Sequence, residues 1–286
     1  MKAPMFQPRL FAASLLALCA SLHAAPGRIE ADIAYGPAVD QRYDVYLPPP
    51  AAQPAPAIVM AHGGAWRLGD KENRRVVEHK AARWQPRGIA FISVNYRMLP
   101  DNAPLDQARD VARALAHVQQ NAARWGVDRE RIVLIGHSAG AHLIALLAAR
   151  PDLAADAGAR PWLGTVLLDS GALDVPAIMN ARHPRLYDRA FGENPAYWRA
   201  VSPYHQLAQP GSPILAVCST QRSDACPQAD AFAAKARPLG GAVDVLALDK
   251  SHGEINADLG RDPDYTAAVE AFLGRLSPAF AVRLSR

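Results

Sequence analysis

The chain has 286 residues, half of them hydrophobic and a fifth charged, the make-up of a globular protein with material for one large core or two small ones. Its 31 basic and 27 acidic side chains leave a net charge of +4, too small and too evenly spread to indicate nucleic acid or an anionic membrane as the partner. Lys2 and Arg9 account for half of it, so the chain beyond residue 24 is near +2.

Lys2 and Arg9 lead into an apolar run over 10–22 that is short for a bilayer span, and the small residues Ala24 and Ala25 follow. This order predicts an export signal over 1–24, cut near Ala24, with one folded unit over 25–286 and no membrane span in the mature chain. A membrane anchor is the competing reading. A lipid-bearing Cys19 is a weaker one, because bulky Leu18 precedes it. Export places the remaining pair, Cys218 and Cys226, in an oxidising compartment, so a disulfide is expected between them, against two separate buried thiols.

Two alternating stretches, Arg28–Ala34 and Arg42–Leu47, predict edge-like strands, and the prolines from Pro48 to Pro56 a loop. Residues 57–60 read as a buried strand ending in His62-Gly63-Gly64-Ala65-Trp66. A covering helix over 71–87, closed by Gly88, and a strand over 89–94 come next. Asp101 or Asn102 is placed to cap a helix with Pro104 in its first turn, whose stripe runs from Leu105 through Val111 and Val118 to Ala122. A strand over 131–135 leads into Gly136-His137-Ser138-Ala139-Gly140, and an apolar helix over 141–149 follows. Strands over 165–168, 214–217 and 243–248 and helices over 228–239 and 265–276 complete the series. This rhythm predicts an α/β architecture: a mostly parallel, doubly wound sheet of about eight strands with flanking helices. Residues 173–209, rich in Pro, Tyr and Trp, are expected to form a small cap-like insertion over one edge.

Serine between flanking glycines, set between strand and helix, describes a sharp turn that strains its backbone and lifts its hydroxyl clear of the sheet. Taken with His62-Gly63-Gly64-Ala65-Trp66, this Ser138 turn resembles the α/β-hydrolase family over nearly the whole mature chain. The family orders its triad as nucleophile, acid, histidine. That order implies Ser138, Asp224 and His252, with His252 in Ser251-His252-Gly253 as the base. Asp224 follows the 214–217 strand; Asp174 is its main rival, and Asp249 and Asp258 are weaker ones. A serine hydroxyl needs such a base, since it is a weak nucleophile near neutrality, and the acid holds the imidazole tautomer. The resemblance also implies an oxyanion hole from the amides of Gly64, Ala65 and Ala139, with the choice among Gly63, Gly64 and Ala65 open by one position. A bridge between Cys218 and Cys226 would brace the loop that carries Asp224.

Other residues have plainer readings. Trp66 walls a substrate pocket or packs the core, and His137 is a second pocket candidate. His62 organises its own loop, and His142 packs within its helix. His137, His142 and His205 have no metal-ligand spacing, so neither a metal nor any other cofactor is expected. Tyr187, Phe191, Tyr197, Trp198 and Tyr204 line a substrate wall or pack the cap, and Arg97 is expected to lock onto a carboxylate such as Asp110.

Within the family, His-Gly-Gly-Ala-Trp resembles the small esterases related to feruloyl and acetyl esterases and to arylformamidases. Taken with the export signal, the resemblance implies a serine carboxylesterase acting on small acyl esters in the periplasm or medium. Hydrolysis of an N-formyl aryl amide by the same triad is the alternative. A non-catalytic binding protein is a third reading, which an intact triad argues against. Acyl chain length, alcohol partner and oligomeric state are not legible at this level.

Overall fold

The computed structural model describes residues 27–209 and 211–285; the export signal read over 1–24 lies outside the described residues. Eight strands form one sheet in the order β1-β2-β4-β3-β5-β6-β7-β8. They are β1 (Arg28–Ala34), β2 (Arg42–Leu47), β3 (Ala55–Ala61), β4 (Ala90–Val94), β5 (Val127–His137), β6 (Gly164–Leu168), β7 (Ile214–Ser219) and β8 (Val243–Leu248). The first two pairings, β1 with β2 and β2 with β4, are antiparallel, and the others parallel. Only β1 is an edge of that pair, because β2 is hydrogen-bonded on both sides.

The helices are α1 (Arg74–Trp84), α2 (Pro104–Asn121), α3 (Ala139–Ala149), α4 (Pro151–Asp156), α5 (Val175–Met179), α6 (Arg185–Phe191), α7 (Pro195–Ala200), α8 (Pro203–Gln206), α9 (Ala225–Ala236), α10 (His252–Ala257), α11 (Pro263–Leu276) and α12 (Pro278–Leu284). Alternate residues of each central strand feed two cores. On β3, Ala57, Val59 and Ala61 face the core shared with α2, α3 and α9, whereas Ile58 and Met60 face the one built with α1, α11 and α12. Burial on both faces explains why these strands read as continuous apolar runs. Every residue of α3 is buried, as expected from its all-apolar sequence.

The expected cap on α2 is corrected. Its N-cap is Ala103, without a side-chain hydrogen bond, rather than Asp101 or Asn102. Pro104 holds the preceding residue extended (φ −72°, ψ 162°), so the helix begins there. Between β6 and β7 the chain forms the four short helices α5 to α8. They pack over the start of α3, where Val201 O accepts from His142 Nε2 at 2.7 Å.

Candidate active site

Parallel strands bring their carboxyl ends to one side of the sheet, and the candidate residues gather there. Ser138 is the single residue between β5 and α3, at φ 54° and ψ −117°. Close packing dictates the turn: a Cβ on Gly140 would lie 2.3 Å from Ala61 O, so helix and strand meet backbone to backbone only because that position is glycine. The Ser138 amide donates to Leu168 O at 2.9 Å, tying the turn to the end of β6.

His252 is the first residue of α10, which begins with a capping box: Ser251 accepts from the Glu254 amide and Glu254 from the Ser251 amide. The residue is held through its ring and through its backbone. Its Nδ1 lies 2.6 Å from Asp169 Oδ2, and its own carbonyl accepts from His137 Nε2 at 3.0 Å. The His137 and His252 rings also meet, with centroids 4.5 Å apart. Behind α10, buried Lys80 on α1 donates to Asn256 O and Oδ1 and to Arg75 O, binding the two helices together.

The acid beside His252 is therefore Asp169, not Asp224. Asp169 directly follows β6, at φ 56°, with its side chain buried. Ser219 N–H donates to its Oδ1 at 2.7 Å, while His252 Nδ1 and Arg222 Nη1 converge on Oδ2. Burial works to raise this carboxyl, but the bonds from His252, Ser219 and Arg222 outweigh it and hold the group below the usual aspartate range. Asp224 instead accepts from Arg222 Nη2 at 2.8 Å, with the guanidinium interposed between it and the imidazole. The rival acids are also engaged elsewhere. Asp174 caps α5, Asp249 accepts from Gln221, and Asp258 pairs with Lys250. In chain order the three residues gathered here are Ser138, Asp169 and His252. Asp169 was missed because it directly follows β6, one strand before the β7 end at which Asp224 was sought; the signal was an acid closing the strand beside the one that leads into Ser138.

Gly64 (φ 132°), Ala65 (φ 52°) and Trp66 (φ 59°) fold the loop after β3 into a run of positive φ along the cleft. The amides of Gly64, Ala65 and Ala139 have no protein acceptor among the described residues, and all three residues line the cleft with Gly63. His62 is buried, stacks on Tyr96 and bonds to Gly63 O through Nδ1, the loop-organising place read from sequence.

Trp66 combines both of its expected roles. It lines the cleft and is buried, and its Nε1 donates to His142 Nδ1 at 3.1 Å. An indole can only donate, so Nδ1 is unprotonated and His142 carries its hydrogen on Nε2, toward Val201 O. Burial pushes His142 down to about 4 and His137 down to about 3, His137 aided by the neighbouring His252. Trp66 also packs edge-on against Phe191 of α6. Arg97 locks onto buried Asp110 through two bonds of 2.7 and 2.8 Å. Cys218 and Cys226 form the expected disulfide, closing the loop that carries Arg222 and Asp224.

Ser138, His252, His137, Trp66, Arg222 and Tyr187 thus face one cleft of about 660 Å³. The sheet order and the strained serine turn decide the architecture. The chain has the α/β-hydrolase fold. Residues 43–159 match the BD-FAE family. The esterase LipQ of Mycobacterium tuberculosis is 29% identical over 262 residues, covering 85% of this chain and 61% of that protein. A probable isoprenylcysteine alpha-carbonyl methylesterase of Oryza sativa subsp. japonica, ICMEL1, is 34% identical over 113 residues. That match covers 40% of this chain and 26% of the rice protein, so the chain aligns with only about a quarter of such relatives. Among solved structures, a truncated carbohydrate esterase from gut microbiota superposes with a TM-score of 0.76 at 18% identity, over 90% of this chain and 98% of the other. The His-Gly-Gly-X-Trp esterase group fits this α/β-hydrolase in both loop sequence and fold.

Elsewhere, Asp32, Asp44 and Glu72 bring carboxylates together, and the Lys71 ammonium lies among them at 2.8–3.0 Å. None of the described helices is long and apolar enough to cross a membrane.

Proposed function

We propose that this α/β-hydrolase is an exported serine carboxylesterase acting on small acyl esters. The observation that carries the reading is the 2.6 Å contact between His252 Nδ1 and Asp169 Oδ2, in a cleft that also holds the strained Ser138. The esterase names of the relatives support the choice of ester over other bonds.

Ser138 Oγ adds to the ester carbonyl while His252 Nε2 takes its proton, and the Asp169 carboxylate stabilises the imidazolium that results. The carbonyl oxygen, now negative, is received by the free amides of Gly64, Ala65 and Ala139; each such donor is typically worth about 10²–10³ in rate. The imidazolium returns the proton to the departing alcohol, leaving an acyl-enzyme on Ser138. A water molecule then repeats the addition, with His252 again as base, and releases the acid.

Turnover of an aryl acetate should show a burst, and a fluorophosphonate should label Ser138. Ser138→Ala should lose both; unchanged turnover in that variant would remove the mechanism. A panel of aryl esters of rising acyl length, acetylated sugars, feruloyl esters and N-formylkynurenine separates the ester reading from the formamide one, since faster turnover of the formamide would reverse the assignment. Export rests on the basic, apolar and small-residue order of 1–24 and on the disulfide, which suits an oxidising compartment. Cell fractionation with mass measurement of the mature N-terminus tests it, and an uncleaved cytosolic product would refute it.

A further inference from the structure

Arg222 is the unassigned residue most closely engaged with the candidate triad. Its Nη1 is 2.9 Å from Asp169 Oδ2, 3.1 Å from Asp169 O and 3.0 Å from His252 Nδ1. Its Nη2 is 2.8 Å from Asp224 Oδ2. One planar guanidinium therefore spans two carboxylates, a geometry that a lysine ammonium cannot reproduce. Room for it is built in: a Cβ on Gly171 would lie 2.7 Å from Nη2 and 2.6 Å from Asp224 Oδ2. The bridge from Cys218 to Cys226 closes the loop on which Arg222 and Asp224 sit.

We propose that Arg222 is a positioning residue, which fixes the Asp169 carboxylate against His252 and is itself held from behind by Asp224. Asp169 closes a strand at positive φ, and its Oδ1 is held by a single backbone amide. Among the described residues, the oxygen that meets His252 has only Arg222 as a further partner. Without the guanidinium, Oδ2 would be free to swing, and the imidazole would lose the partner that sets its tautomer. Asp224 then has a defined task at one remove from the imidazole: it orients the arginine. The other charged and titratable groups around His252 are placed differently. His137 supports it from the end of β5, Arg75 stands near Gly253 on the α1 side, and Lys80 is occupied behind α10.

This inference rests on the esterase reading for its kinetic consequence, but its spectroscopic test does not. A short Nδ1–H bond to a carboxylate gives a far-downfield proton resonance, assigned as the one lost in His252→Gln. In the full-length mature protein, Arg222→Met should lose or broaden that resonance. It should also lower kcat on an aryl acetate by about 10- to 100-fold, with KM within about twofold, as expected when a reacting group is misplaced by a fraction of an ångström. Arg222→Lys should recover part of both, and millimolar guanidinium should partly restore kcat in Arg222→Ala. Asp224→Asn should have a smaller effect in the same direction. An unchanged resonance in Arg222→Met would overturn the proposal, as would a rise in KM at constant kcat, the mark of a substrate contact. Should Arg222→Met fail to fold, Arg222→Lys and Asp224→Asn decide by the same two readouts. Full turnover in Ser138→Ala would sink the esterase reading alone and leave the resonance test standing.

Discussion

Ser138 is held where a side chain is least comfortable, with φ at 54° and ψ at −117°. Backbone conformations of this kind store on the order of 1–3 kcal/mol, sustained here by the packing of β3, β5 and α3 around the turn. Glycine tolerates the same angles, so Ser138→Gly should raise the unfolding free energy by about 1 kcal/mol while abolishing turnover, measurable by urea denaturation and an ester assay. The two aspartates near His252 separate in a similar comparison. Asp169→Asn should cost about 10³-fold or more in kcat, because the amide presents a donor where the imidazole needs an acceptor. Asp224→Asn, one guanidinium further away, should cost less than about tenfold. Equal losses in the two variants would show that the acid has been misassigned.

Among the elements, α3 and the cap helices meet at His142, whose Nδ1 accepts from Trp66 and whose Nε2 donates to Val201 O. The bond from Trp66 requires the neutral ring, because protonation would remove the lone pair that Nδ1 offers. Burial pushes His142 down to about 4, whereas an unfolded imidazole titrates near 6.5. Between those values the unfolded chain binds more protons, so this contribution is complete above about pH 6.5 and is lost as the pH falls toward 4. At pH 5 the loss from His142 alone is about 2 kcal/mol, and buried His137 acts in the same direction. His142→Gln can keep both hydrogen bonds without taking up a proton. Urea unfolding between pH 7.5 and 5 should therefore be less steep in that variant than in the parent.

At the scale of the whole molecule, the Cys218–Cys226 bridge closes a short loop, with a sequence separation of 8. Replacing both cysteines by serine should lower stability by roughly 2.5 kcal/mol on the simple chain-entropy model. Activity should fall further than stability alone explains, because the loop carries Arg222; ester turnover and thermal melting of the double variant read the two effects separately. The architecture was legible because burial on both faces writes parallel strands as apolar runs, and the spacing of Gly136 and Gly140 about Ser138 reports backbone packing that only glycine allows. Which carboxylate lies beside His252 was not legible. Asp169 and Asp224 both follow strands at the correct end of the sheet, and what separates them is the interposed guanidinium of Arg222, a tertiary contact with no counterpart in linear spacing. The α2 cap was misread for a local reason, since Pro104 fixes the helix start and so places the N-cap at Ala103, one residue beyond Asn102.

The indole of Trp66 belongs at once to the loop whose amides are proposed to receive the oxyanion and, through His142 and Phe191, to the seat of helices α5 to α8. Grafting a cap from another esterase to change acyl preference would therefore disturb rate as well as selectivity, unless the graft brought its own counterparts of Phe191 and the carbonyl of Val201. For directed evolution, this makes Trp66, His142, Phe191 and Val201 one unit of inheritance. Libraries that vary them together should yield active recombinants more often than libraries that vary the cap residues alone.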